Sequence, residues 1–120
     1  MDPGDFSIEA RQDGERYTLI LRGELDMASA PELEGVLQEL CEGSAQELVL
    51  DLRQLSFMDS TGLNAVLRSR SLCEEHGCDF GLIPGRRPVQ RVFELTHLVD
   101  RLPFRQAEPA TGAALRARGR

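Results

Sequence analysis

Three observations predict an α/β fold, with a mixed, mostly parallel sheet of four to five strands packed with three to four helices. The dipeptide Asp13-Gly14 is a hairpin signal between two short stretches of β character. Leu48-Val49-Leu50-Asp51-Leu52 is an apolar run broken once by Asp, the pattern of a strand covered on both faces. Beyond the hairpin, strand-like and helix-like segments alternate, which implies parallel central strands joined by right-handed crossovers.

Ser7 to Gln12 and Arg16 to Arg22 read as the hairpin strands. Tyr17, Leu19 and Leu21 alternate with Thr18, Ile20 and Arg22, giving one apolar and one mixed face. Ser29-Ala30-Pro31-Glu32 opens a first helix: Ser29 can cap, Pro31 suits the first turn and Glu32 completes a capping box. Leu33, Val36, Leu37 and Leu40 form its apolar face, and Gly43 ends it. After the 48–52 strand, Ser56 to Asp59 reads as a short loop. Ser60 takes the N-cap of a second helix, whose stripe opens with Leu63, Val66 and Leu67 and which ends near His76-Gly77. Asp79 to Ile83 is the next strand, closed by Pro84-Gly85. A third helix runs from about Pro88 to Thr96 on Val89, Val92, Phe93 and Leu95, and Leu98 to Phe104 suggests a last short strand. One domain over residues 1–105 is expected, with 106–120 a basic, flexible tail.

Composition narrows the function. The 120 residues carry a net charge of −6, which argues against non-specific nucleic-acid binding. Residues 1–99 hold 18 acids and 9 arginines, and the last 21 hold 2 acids and 5 arginines. All 14 basic residues are arginine, so a P-loop lysine, a Schiff base and the lysine of a phospho-receiver site are excluded. The two histidines, His76 and His97, lie outside the polar motif, and no catalytic triad or catalytic role is expected. Cys41, Cys73 and Cys78 are an odd set read as structural thiols; Cys73-x-x-His76-x-Cys78 has the wrong spacing for a zinc knuckle and no evident fourth ligand. No cofactor or metal is expected. No apolar run approaches the roughly 20 residues of a membrane span. Met1-Asp2-Pro3-Gly4-Asp5 lacks the basic and apolar regions of a signal peptide, so the expected location is the cytoplasm.

The candidate site follows from topology. The carboxyl ends of the second and third strands share one edge of the sheet, where open α/β sheets place their ligand or partner sites. Asp26 leaves one strand there and Asp59-Ser60 leaves the other segment. Singly, each has an ordinary explanation as a cap or turn residue. An exposed hydroxyl at a helix N-terminus is nonetheless well placed to carry a phosphate, because free N–H groups and the helix dipole favour an anion there.

Gly23-Glu24-Leu25-Asp26, followed by Ser56-Phe57-Met58-Asp59-Ser60-Thr61-Gly62-Leu63, resembles the anti-sigma factor antagonists, the stand-alone STAS domains of bacteria. The likeness extends from about residue 6 to residue 104, and Arg91-Val92-Phe93-Glu94-Leu95-Thr96 fits the family's later amphipathic helix. It implies a single STAS-like domain with Ser60 as acceptor of a phosphate from an ATP-dependent kinase that doubles as the anti-sigma factor. Thr61 is the rival acceptor, and Asp26, Asp59, Ser60, Thr61 and Gly62 form the partner-binding set. A phosphatase acting on phospho-Ser60 is implied as well. The alternative is a STAS scaffold or accessory subunit of a transporter or sensory complex. Two positions depart from the family pattern. Arg68-Ser69-Arg70 makes the second helix more cationic than expected, and His97 replaces a glycine after the third helix, where a left-handed backbone is costly for other residues.

Overall fold

Eight elements follow one another among the described residues: β1 (Ser7–Asp13), β2 (Arg16–Leu25), α1 (Ala30–Glu42), β3 (Glu47–Asp51), β4 (Leu55–Met58), α2 (Ser60–Glu75), β5 (Asp79–Ile83) and α3 (Arg87–Leu95). The structure, a computed structural model, describes residues 5–107. The expected tail therefore lies almost wholly outside the described residues. The five strands form one mixed sheet in the order β1-β2-β3-β5, with β4 also paired to β2. Among the described strands, the β1–β2 hairpin alone is antiparallel. Three helices and five strands fall within the expected range.

The hairpin turn sits one residue later than the sequence suggested. Asp13 still pairs with Arg16, so the two-residue loop is Gly14-Glu15. Gly14 takes a φ of 65° at its first position, which glycine adopts without penalty.

β2 runs three residues beyond Arg22 because it serves two partners in succession. Its first part pairs with β3 from Arg16↔Glu47 to Ile20↔Asp51. Its end pairs with β4 through Gly23↔Leu55, Glu24↔Phe57 and Leu25↔Met58. The register shifts at Gly23, whose φ of 93° and close contact with the Asp5 carbonyl leave no room for a side chain. The segment read as a loop, Ser56 to Asp59, is thus mostly strand. Its four residues show no clean alternation, and the pairing that defines them is more than thirty residues away.

The alternation read in β2 holds. Leu19 and Leu21 join Leu48, Leu50, Phe80 and Leu82 in one core with Leu33 and Leu37 of α1 and Leu63 and Val66 of α2. On the opposite face, Ile20, Val49 and Ile83 are buried beside Asp51. Arg53 holds Asp51 through three hydrogen bonds, from its backbone N–H and Nε to Oδ1, each at 3.0 Å, and from Nη2 to Oδ2 at 2.7 Å. Glu47 joins Arg16 at 2.9 Å to Arg105 at 2.6 Å, and the Arg105 guanidinium lies across Gly81. The central strand is buried from Leu48 through Leu52, as an apolar run requires.

Ser29 departs from the capping box. Its backbone is already helical and its side chain makes no capping bond to the first turn of α1. The last expected strand shrinks to one bridge, Leu82↔Phe104, because Leu98 to Leu102 closes a turn and Pro103 lacks an N–H for a ladder. Phe104 stacks edge-on against Phe93 of α3 at 5.0 Å. All three cysteines are buried, with Cys41 Sγ 3.8 Å from Cys73 Sγ, and burial pushes each thiol's pKa up. Among the described residues no group of three His, Cys, Asp or Glu is arranged to hold a metal ion.

His97 has a φ of 59°, the left-handed conformation expected where the family glycine is missing. Its N–H bonds the Glu94 carbonyl and closes α3. His97→Gly should therefore raise stability by up to about 1 kcal/mol, partly offset by the flexibility glycine adds to the unfolded chain. A urea titration should show a higher midpoint with an unchanged slope; an unchanged or lower midpoint would mean the histidine side chain compensates for its backbone.

Candidate functional site

Two chain segments reach the same edge of the sheet because Leu25 and Met58 are paired neighbours in parallel strands. Asp26 follows the first and Asp59-Ser60 the second. The convergence expected from topology is present, carried by β4 rather than by β3.

α2 begins one residue earlier than expected. Asp59, not Ser60, is the N-cap: its backbone is extended, and its Oδ1 accepts the Gly62 N–H at 2.9 Å. Both residues are good caps, and the extended conformation that joins β4 to the helix falls on Asp59. Ser60 becomes the first helical residue. It is exposed, whereas Thr61 is half-buried, and neither hydroxyl is engaged among the described residues. The Ser60 hydroxyl stands at the positive end of a 16-residue helix with nothing covering it.

Gly62 is buried rather than on the surface. A Cβ there would collide with the Leu25 carbonyl oxygen and come within 2.9 Å of Met58 Cγ. Leu25 also accepts the Asp59 N–H, at 3.4 Å. Glycine lets the first turn of α2 lie directly on the end of β2. Its contribution to any partner surface is through this packing.

Asp26 is held by its own turn. Its Oδ1 accepts the N–H groups of Ala28 at 3.0 Å and Ser29 at 3.2 Å. The Asp26 N–H donates to Ser29 Oγ at 2.9 Å, and that hydroxyl donates to the Glu24 carbonyl at 2.7 Å. Buried Ser29 is therefore a clamp that fixes the carboxylate, a role its capping-box pattern did not reveal. The short Ser-to-Asp spacing was its only signal. Oδ1 makes the turn, and Oδ2 takes no bond among the described residues of either Asp26 or Asp59.

The two departures noted in the sequence lie elsewhere. Arg68 pairs with Glu34 of α1, tying α2 to α1 at the rim of a groove of about 250 Å³. No helix among the described residues is long and apolar enough to cross a membrane.

Residues 7–110 match the family model of the STAS domain, and the chain belongs to that family. Within it, the chain is 28% identical over 96 residues to the anti-sigma-B factor antagonist of Staphylococcus aureus, covering 80% of this chain and 89% of the relative. An anti-sigma factor antagonist from Mycobacterium paratuberculosis superposes with a TM-score of 0.77 at 25% identity, over 97% of this chain and 98% of that one. The phosphorylated form of the Bacillus cell fate determinant SpoIIAA shares the fold, with a TM-score of 0.69 at 22% identity over 92% of this chain and 97% of the other.

The contact between Gly62 and Leu25 has a direct consequence. Gly62→Ala should destabilise the domain by about 1–3 kcal/mol, since the obstacle is backbone and cannot rotate away. Asp59→Ala should cost about 1 kcal/mol for the lost cap. Thermal melts of both variants test this order, and a Gly62→Ala protein as stable as wild type would mean the strand end yields easily.

Proposed function

We propose that this chain is a cytoplasmic anti-sigma factor antagonist that works by partner switching and has no catalysis of its own. Unphosphorylated, it binds an anti-sigma factor that is also an ATP-dependent serine kinase, and so frees the sigma factor. Phosphorylated on Ser60, it lets the kinase go, and a phosphatase restores it. The observation that carries this reading is the Leu25↔Met58 pairing, which brings Asp26 beside Asp59 and an exposed, unengaged Ser60 hydroxyl. The names of its relatives support the antagonist role. The partner surface is Asp26, Asp59, Ser60 and Thr61, with Gly62 shaping it from behind.

The chemistry suits a switch that does not unfold the protein. The Ser60 Oγ attacks the γ-phosphorus of ATP, the bond to ADP breaks, and the hydroxyl proton leaves to a base on the kinase. The new group adds about −1.5 to −2 charge. At the first position of α2 that charge meets free N–H groups and the positive helix end, so the fold tolerates it. In the complex the same charge faces the nucleotide phosphates that had to be aimed at Ser60, and it sits beside Asp59. Like charges desolvated together at an interface cost several kcal/mol. Binding is lost and the domain survives.

Pull-down with phosphosite mass spectrometry is the primary test, with recovery of a small ATP-binding kinase and a phosphate on Ser60 expected. Recovery of only permease or sensor-complex subunits would favour the scaffold role instead. Ser60→Ala should abolish phosphorylation and keep kinase binding, while Ser60→Asp should bind at least about tenfold more weakly and melt within a few degrees of wild type. Phosphate appearing on Thr61 of the Ser60→Ala protein would move the acceptor.

Asp26→Asn keeps the Oδ1 acceptor that makes the turn and removes the charge, so stability should change by less than about 1 kcal/mol. Kinase affinity or phosphorylation rate should still fall clearly by calorimetry and phosphate-transfer assay. No change in either would leave Asp26 as a turn residue.

A further inference from the structure

Four large hydrophobic side chains are exposed among the described residues: Met27 at 75%, Leu95 at 67%, Phe57 at 44% and Val99 at 37%. Two of them stand within two residues of the Leu25–Met58 pair. Leu25 and Met58 point into the core, so Phe57 and its partner Glu24, one position earlier on each strand, project from the opposite face. Met27 is the next residue after Asp26, in the turn that the Asp26 carboxylate and Ser29 hydroxyl hold rigid. Covering a side chain carried on a fixed turn requires no further ordering of the backbone.

The residues next to the pair along the chain include three acids. Glu24, Asp26 and Asp59 form no ion pair among the described residues. Glu9, Glu34, Glu47, Asp51 and Glu74 each have an arginine partner, while other acids such as Glu39 and Glu94 have none among the described residues. Two exposed apolar side chains and three carboxylates without an ion pair thus lie within two residues of the Leu25–Met58 pair. Aromatic residues and methionine are enriched at interface centres, and a rim of one sign selects a partner of the other.

We propose that Met27 and Phe57 are the apolar anchors by which the domain docks on its partner. The occupant is the anti-sigma kinase, through an apolar socket rimmed with arginine or lysine. This rests on the Ser60 reading above. A second copy of the chain is the poorer fit, because two identical acidic rims would face each other across a twofold axis.

The experiment uses the full chain and the kinase that phosphorylates Ser60, with affinity measured calorimetrically in ADP. Met27→Gln and Phe57→Gln should each weaken binding about tenfold, as truncated interface anchors do, and the pair more than either. Phosphorylation should show a raised KM with kcat within about twofold, since an anchor binds ground state and transition state alike. Met27→Leu and Phe57→Tyr, which keep apolar bulk, should stay within about threefold of wild type, and Leu95→Gln on α3 should be without effect. Circular dichroism melts of all variants should stay within a few degrees of wild type, with the largest shift in Phe57→Gln, whose ring is 44% exposed. Unchanged affinity in the Met27→Gln/Phe57→Gln double variant would overturn the proposal and leave the Ser60 reading intact. So would an equal loss in Leu95→Gln, or a wild-type dimer in sedimentation that only the Gln variants dissolve. Absence of any kinase acting on Ser60 would overturn both readings together.

Discussion

The Leu25 carbonyl is the point on which the site turns. It closes the pairing of β2 with β4, receives the Asp59 N–H and lies against Gly62 with no space for a methyl group. Through it the end of a central strand fixes the start of a helix. The extended backbone of Asp59, the first-turn position of Ser60 and the approach of the Asp26 turn all follow from that contact. Because the parts touched are backbone, side-chain rearrangement cannot easily move them. Sites carried on rigid elements in this way hold their geometry better than sites on free loops.

Much of this was legible in the residues. The hairpin, the buried strand at 48–52 and the three helices are local patterns, and local patterns survive folding unchanged. The left-handed backbone at His97 was readable because a glycine was expected there. What was not legible was non-local. β4 has four residues without alternation and exists as a strand only because the end of β2 is unpaired beside it. Likewise, Asp59 and Ser60 are both competent caps, and the β4 trajectory decided between them. Ser29 looked like half of a capping box, yet tertiary contacts turned its hydroxyl back toward Asp26 and Glu24. Nor does a sequence say which Met or Phe will be left outside a core.

The sheet divides its two faces by chemistry. One is dry, covered by α1 and α2 and filled with leucine. The other mixes Ile20, Val49 and Ile83 with Asp51–Arg53 and the Arg16–Glu47–Arg105 group. Long arginine stems suit this second role, since they cover apolar surface while their guanidinium groups remain paired. Asp26 and Asp59 stand apart from this scheme, since each carboxylate makes a backbone turn or cap rather than an ion pair.

The cysteines give the protein an internal clock. Cys41 belongs to α1, Cys73 to α2, and Cys78 precedes β5, so three separate elements meet at one cluster of buried thiols. Burial suppresses their ionisation, and a thiol-specific reagent in solution meets none of them while the core is closed. The rate at which such a reagent enters therefore reports how often α1 lifts from α2. Timing that entry with and without phosphate on Ser60 measures whether the modification is felt only at the surface or also as breathing of the helical layer.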